Sequence, residues 1–195
     1  TTRLISNNFS DIKINLIIFT GVAGAVDLNL KQWDIVISEA VMQHDFDASP
    51  LFKKFVIPSI NKEKIYAKKY LLDNFYTILN ENIHQENYKI FGSIHKGLIA
   101  TGDMFISEKE KLKQLSLEIP KLLAVEMEGA SFAQVAYQEQ IDWIIIRVIS
   151  DSADDSAPDD FNSFLSKYKS KSWDLIFKFC SSIIDIFPFL TLSAL

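Results

Sequence analysis

Two apolar runs in this sequence end in carboxylates placed where a ligand can meet them. The first is Ala124-Val125-Glu126-Met127-Glu128-Gly129-Ala130, where a strand-like run gives way to a helical pattern of small residues. The second follows Trp143 to Ile149, passing through Arg147 into Ser150-Asp151-Ser152-Ala153-Asp154-Asp155. Crowded carboxylates disfavour one another's ionisation, which can lift one of them into the range of a general acid, a proton donor facing a leaving group. Arg147 is placed to hold a neighbouring carboxylate or to neutralise part of the Asp151, Asp154 and Asp155 cluster. Each residue also has a plainer reading. Glu126 and Glu128 can merely complement a helix dipole, Asp151 can cap a helix or close a turn, and Arg147 can pack its stem while its head reaches solvent.

These junctions need elements to position them. Ile14 to Phe19 is a short β-branched run closed by Thr20-Gly21, as expected of a strand buried on both faces of a parallel sheet. Ile35 to Ser38, Gly97 to Thr101, Leu122 to Val125 and Ile144 to Ile149 behave alike. Helical patterns lie between them, notably over Lys62 to Leu79 and Gly129 to Gln138. A last helix is marked by Pro158, Asp159 and Asp160 and shows helical spacing from Phe161 through Phe164, Leu165, Tyr168 and Trp173 to Phe187. Cys180 falls on its apolar stripe and reads as core. The alternation predicts an α/β fold, a three-layer α/β/α sandwich with a mostly parallel, mixed central sheet. In such sheets ligands bind beyond the carboxyl ends of the strands. Four junctions obey that rule: Thr20 to Ala25, Gly102 to Ile106, Glu126 to Glu128, and Ser150-Asp151.

Bulk properties narrow the chemistry. A chain of 195 residues fits one domain, 1–195, and its net charge of −5 argues against nucleic acid as a partner. The apolar Ile183 to Leu190 segment is interrupted by Asp185 and Pro188 and falls short of the ~20 residues that span a bilayer, so no membrane partner is expected. A single cysteine permits no internal disulfide and fits a reducing, cytoplasmic setting. No Gly-Lys-Ser/Thr follows the Thr20 to Ala25 turn, the three-glycine dinucleotide fingerprint is missing, and no Gly-x-Ser-x-Gly elbow occurs, so nucleoside triphosphates, NAD and serine hydrolysis are disfavoured. His44, His84 and His95 lack metal-site spacing, and the Asp151 to Asp160 run lacks the glycine and glutamate of a calcium loop. Neither cofactor nor metal is expected.

Four motifs now appear in order: Thr-Gly-x-Ala-Gly at 20–24, Gly-Asp-x-Phe-Ile at 102–106, Val-Glu-Met-Glu-Gly at 125–129, and Arg-Val-Ile-Ser-Asp-x-Ala-Asp at 147–154. The sequence resembles the 5'-methylthioadenosine/S-adenosylhomocysteine nucleosidases of the nucleoside phosphorylase superfamily. That resemblance implies a nucleoside phosphorylase-like fold, an adenine nucleoside as small-molecule substrate, and a place in methionine salvage. It implies that Asp151 protonates adenine N7, with Ser150 beside it at the purine edge. Phe105 would stack on the base, and Ile106 would read its edge through the backbone. Glu128 would hold the ribose hydroxyls and stabilise a cationic sugar, with Met127 beneath the ring and Glu126 assisting. Phe161 would close the pocket over the 5'-alkylthio group, while Ala23 and Gly24 would let the ligand approach the backbone. Where phosphorylases carry a hydroxyl residue that contacts phosphate, this sequence has Val22, which favours water as the acceptor.

The resemblance also implies a homodimer, through the loop His44 to Phe52. It places a water-activating glutamate on a strand upstream of Thr1. The opening residues Thr1 to Asn8 resemble a helix end, so a longer parent protein is expected. Two other readings stand beside this one. One is a nucleoside phosphorylase. The other is a surface binding glycosaminoglycan-like polyanions through Lys53, Lys54, Lys62, Lys64, Lys68, Lys69, Lys167, Lys169 and Lys171.

Overall fold

β-branched and small apolar residues at successive positions favour extended backbone, and here they form strands whose alternate side chains enter opposite cores. The computed structural model describes residues 14–85, 88–152, 161–169 and 171. In chain order the elements are β1 (Leu16–Ala25), β2 (Ile35–Gln43), β3 (Ile65–Tyr66), α1 (Lys69–Asn82), β4 (Ile94–Thr101), α2 (Lys109–Glu118), β5 (Leu122–Glu126), α3 (Gly129–Gln138) and β6 (Asp142–Asp151). Residues 161–169 are helical.

The strand order is β3-β2-β4-β5-β1-β6. The longest registers are parallel: β1 on β6 and β2 on β4, followed by β4 on β5. Antiparallel contacts are short, with β1 meeting β5 only at Gly24 and Ala25 and β3 meeting β2 at two positions. The mixed, mostly parallel sheet is therefore present, and it also curls: Ile35 to Ile37 of β2 pair with Ile146 to Val148 of β6. Irregularities at Ser38/Ala40, Leu98/Ile99 and Ala23/Gly24 help it bend, because bulges add to strand twist.

Helices cover both faces. Leu71, Leu72, Phe75, Ile78 and Leu79 of α1, with Phe164, pack on Ile35, Ile37, Ile144, Ile146 and Val148. Leu115 of α2 joins Met42, Leu98, Ala100, Leu122 and Val125. The intervening side chains, among them Val36, Val41, Ile99, Ile145 and Ile149, face Ala130, Phe132, Ala133 and Ala136 of α3. Small residues on α3 let it sit close to the sheet, which sets where its N-terminus lies.

Three expectations need correction. β1 does not stop at Thr20-Gly21 but continues to Ala25, because Gly21 serves a close approach of Arg147 rather than a turn. The helix expected from Lys62 starts at Lys69; buried Ile65 and exposed Tyr66 alternate as strand residues and pair with β2. α2 escaped the sequence pattern because it buries only Leu115. The readings for Thr1 to Asn8, Asp154, Asp155, Pro158 to Asp160, Cys180 and the helix past 171 lie outside the described residues.

Candidate active site

The carboxyl ends of β1, β5 and β6 converge on a cavity of about 370 Å³, within the size range of small-molecule sites. Its walls are Val22, Ala23, Gly24, Phe105, Val125, Glu126, Met127, Glu128, Ser150, Asp151, Phe161 and Asn162. Arg147 stands behind these walls, and Ile106 does not line the cavity either; its side chain is buried with Leu115, Ile119 and Leu122. Phe105 is partly exposed and meets Phe161 edge-on across the mouth, ring centroids 6.0 Å apart.

The two glutamates of the first junction have separate surroundings. Glu126 ends β5, and both its carboxylate oxygens accept the Gly129 N–H, at 2.9 and 2.8 Å, with the Glu128 N–H at 3.3 Å. The Thr101 hydroxyl donates to the same carboxylate and itself accepts the Ala130 N–H at 2.7 Å. Three donors at the start of α3 are thus satisfied from inside the protein, which fixes that helix against β4 and β5. Gly129 suits that close approach, since a Cβ would stand 3.0 Å from both oxygens and push the carboxylate back. For Glu126 the helix-start reading therefore describes its bonds. Glu128, by contrast, makes no side-chain cap bond and keeps a side chain 66% exposed.

Arg147 is the largest fully buried side chain among the described residues, so its head does not reach solvent. Its guanidinium pairs with Glu126 and lies 4.2 Å from the Phe19 ring centroid. Gly21 makes room for it: a Cβ there would stand 2.5 Å from Nη1. The pair is desolvated on both sides, so each charge depends on the other. Glu128 Oε2 lies 3.9 Å from the same Arg147 Nη2, which places the exposed carboxylate at the edge of this buried charge network.

Asp151 closes β6 and is buried. Gly24 pairs with Asp151 while Ala23 pairs with Ile149, leaving Ser150 as the extra residue of a bulge. Bulges re-aim side chains, and this one lets the Ser150 hydroxyl donate to Asp151 Oδ2 at 2.6 Å. The Ser150 carbonyl is held in turn by Gln32 Nε2 at 2.7 Å. The cap or turn reading of Asp151 thus gives way to a strand-end carboxylate inside a cavity.

Several participants were not legible as such in the sequence. Thr101 ends a strand that had been recognised, yet nothing in its spacing announces a bond to Glu126. Gln32 and Asn162 are single polar residues without motif context. Asp103, within a recognised junction, is exposed, and its N–H donates to Asp45 at 2.7 Å rather than facing the cavity. His44 is buried with no partner for Nε2, and burial pushes its pKa below 6.5 against the opposing pull of Asp45 and Glu126. Among the described residues there is no cluster of three or more metal-ligating side chains and no helix long and apolar enough to cross a membrane.

Comparison with known proteins matches this arrangement to a family. The sequence model of the phosphorylase superfamily matches residues 1–180. The 5'-methylthioadenosine/S-adenosylhomocysteine nucleosidase of Haemophilus influenzae (strain PittEE) is 34% identical over 165 residues, covering 84% of this chain and 68% of the relative. The chain belongs to the phosphorylase superfamily, among its methylthioadenosine/S-adenosylhomocysteine nucleosidases. In that family, the Streptococcus pyogenes S-adenosylhomocysteine nucleosidase in complex with 5-methylthiotubericidin superimposes with a TM-score of 0.78 at 27% identity, over 92% of this chain and 73% of that one. The Colwellia psychrerythraea nucleosidase in complex with adenine gives 0.75 at 29% identity, over 91% and 69%. Membership gives the chain the nucleoside phosphorylase fold, and the comparisons do not favour a polyanion-binding surface. Three of the lysines proposed for one, Lys53, Lys54 and Lys68, are already paired with Glu63, Glu118 and Asp142.

Proposed function

We propose that this protein hydrolyses the N-glycosidic bond of 5'-methylthioadenosine and S-adenosylhomocysteine, releasing adenine. The observation that carries the reading is the single cavity shared by Phe105, Glu128, Ser150-Asp151 and Phe161. Adenine packs against Phe105 with its N7 edge towards Asp151, which delivers a proton as the C–N bond pair moves onto the base. Positive charge developing on the sugar is met by Glu128, and Met127 lies beneath the ring. Arg147 and Thr101 hold Glu126, and Glu126 fixes the backbone that presents Glu128. Phe161 covers the 5'-thioether.

Val22 lines the cavity without a hydrogen-bond donor, which supports water rather than phosphate as the acceptor. Met127 and Glu128 also line a neighbouring cavity of about 790 Å³, walled by Ile17, Phe19, Phe132 and Val135. One nucleosidase domain spans 1–195, and the protein acts in the cytoplasm, in methionine salvage, as a homodimer. Exposed Leu51 and Phe52 support the dimer; a monomer mass in sedimentation would contradict it. The activity is tested by incubating the protein with methylthioadenosine in the presence and absence of phosphate. Adenine release independent of phosphate is expected, and a phosphate requirement would replace hydrolysis by phosphorolysis.

A further inference from the structure

Trp33 adopts φ 76°, in the left-handed region that bulky residues rarely occupy. Backbone bonds hold it there from both sides. Its N–H donates to the Ile149 carbonyl at 2.8 Å, its carbonyl accepts the Gly92 N–H at 2.9 Å, and the next residue's carbonyl accepts the Ile149 N–H at 2.8 Å. The turn is closed on itself by Asp34 N–H to the Lys31 carbonyl at 2.9 Å and by Lys31 N–H to Asp34 Oδ2 at 2.9 Å. A glycine would meet the same backbone demand without strain. The indole is therefore where a reason for tryptophan should be sought.

The indole faces the helix over 161–169. Its centroid lies 4.4 Å from Phe164, 6.5 Å from Tyr168 and 5.8 Å from Phe91, and Phe164 stacks on Tyr168 at 5.2 Å. Phe161, Phe164 and Tyr168 follow i, i+3, i+7 spacing and share one helix face. The first faces Phe105 across the cavity mouth, and the other two rest on Trp33. The preceding residue, Gln32, holds the Ser150 carbonyl in the bulge that aims Asp151. One four-residue turn, fastened to β6, thus touches both the proton-donor side of the cavity and the helix that forms its outer wall.

We propose that Trp33 is a positioning residue for adenine-nucleoside binding: its indole docks the helix carrying Phe161 and Asn162, and so holds the outer wall in register with Asp151. This inference rests on the functional reading above. The test compares the full chain with Trp33→Gly, which keeps the backbone and removes the ring, and Trp33→Phe, which restores part of the ring. Amide hydrogen exchange over 161–169 and the calorimetric affinity for adenine are measured on all three. In Trp33→Gly the helix exchanges faster while β6 is unchanged, and the adenine Kd rises about tenfold, the loss of roughly one good aromatic contact, with Trp33→Phe in between. Unchanged exchange over 161–169 would overturn the docking role. Faster exchange with parental adenine affinity would overturn the positioning role. If the parent chain itself bound no adenine, the functional reading would fail, and this inference would fall with it.

Discussion

Arg147→Met removes a guanidinium that is 2% exposed from a glutamate carboxylate that is equally buried. Glu126 keeps its Gly129, Glu128 and Thr101 donors, but these neutral dipoles do not neutralise a charge cut off from water. Breaking a buried pair by deleting one member costs about 3–5 kcal/mol, and the lost contact with the Phe19 ring adds to that. In a chain of this size 1 kcal/mol moves Tm by about 2–4 °C, so a drop of roughly 6–20 °C is expected in a thermal melt followed by circular dichroism. The double variant Glu126→Gln, Arg147→Met removes both charges and leaves an amide that can still accept from Gly129. It should therefore recover a large part of the loss. A single variant melting within about 2 °C of the parent, or a double variant losing the sum of the two singles, would refute the coupled buried pair.

Other consequences follow from the same geometry. If Glu128 meets the sugar cation as proposed, Glu128→Gln should lower kcat/KM for methylthioadenosine by about 10²–10³-fold, with little change in Tm because the side chain is exposed; parental kinetics would remove it from the site. His44 has its pKa lowered by burial, so below pH 6.5 the unfolded chain takes up a proton that the folded chain refuses. Its contribution to stability is complete above 6.5 and is lost as pH falls through that value towards the lowered native one. Urea titrations of His44→Gln should accordingly show a flatter acid limb than the parent, and parallel limbs would contradict this.

Much of the fold is written in residue periodicity because burial on two faces demands it. Ile144 to Ile149 and Leu122 to Val125 are apolar at every position or nearly so, and both became central strands. The curl of the sheet is less visible, since pairing of Ile35 to Ile37 with Ile146 to Val148 depends on accumulated twist and bulges rather than on any local signal. The start of α1 was misplaced because Ile65 and Tyr66 fit a helical stripe as well as a two-residue strand. At the site, the residues that converge were recognisable as strand-end motifs, and the short antiparallel contact of Gly24 and Ala25 with Val125 and Ala124 brings the end of β5 to the ends of β1 and its parallel neighbour β6. What the sequence does not separate is Glu126 from Glu128. Two positions apart in one motif, one is a buried anchor for α3 and the other an exposed carboxylate. That difference arises from Arg147, Thr101 and Gly21, which come from three other strands.

The central claim is that Asp151 supplies the proton that lets adenine leave. It is tested most directly by comparing adenine release from saturating methylthioadenosine by the parent protein and by Asp151→Asn, with adenine affinity measured on both. Loss of a general acid should lower the rate by about 10²–10⁴-fold, with affinity for adenine largely retained, because asparagine preserves the shape of the pocket. An Asp151→Asn variant that released adenine at the parental rate would contradict the account.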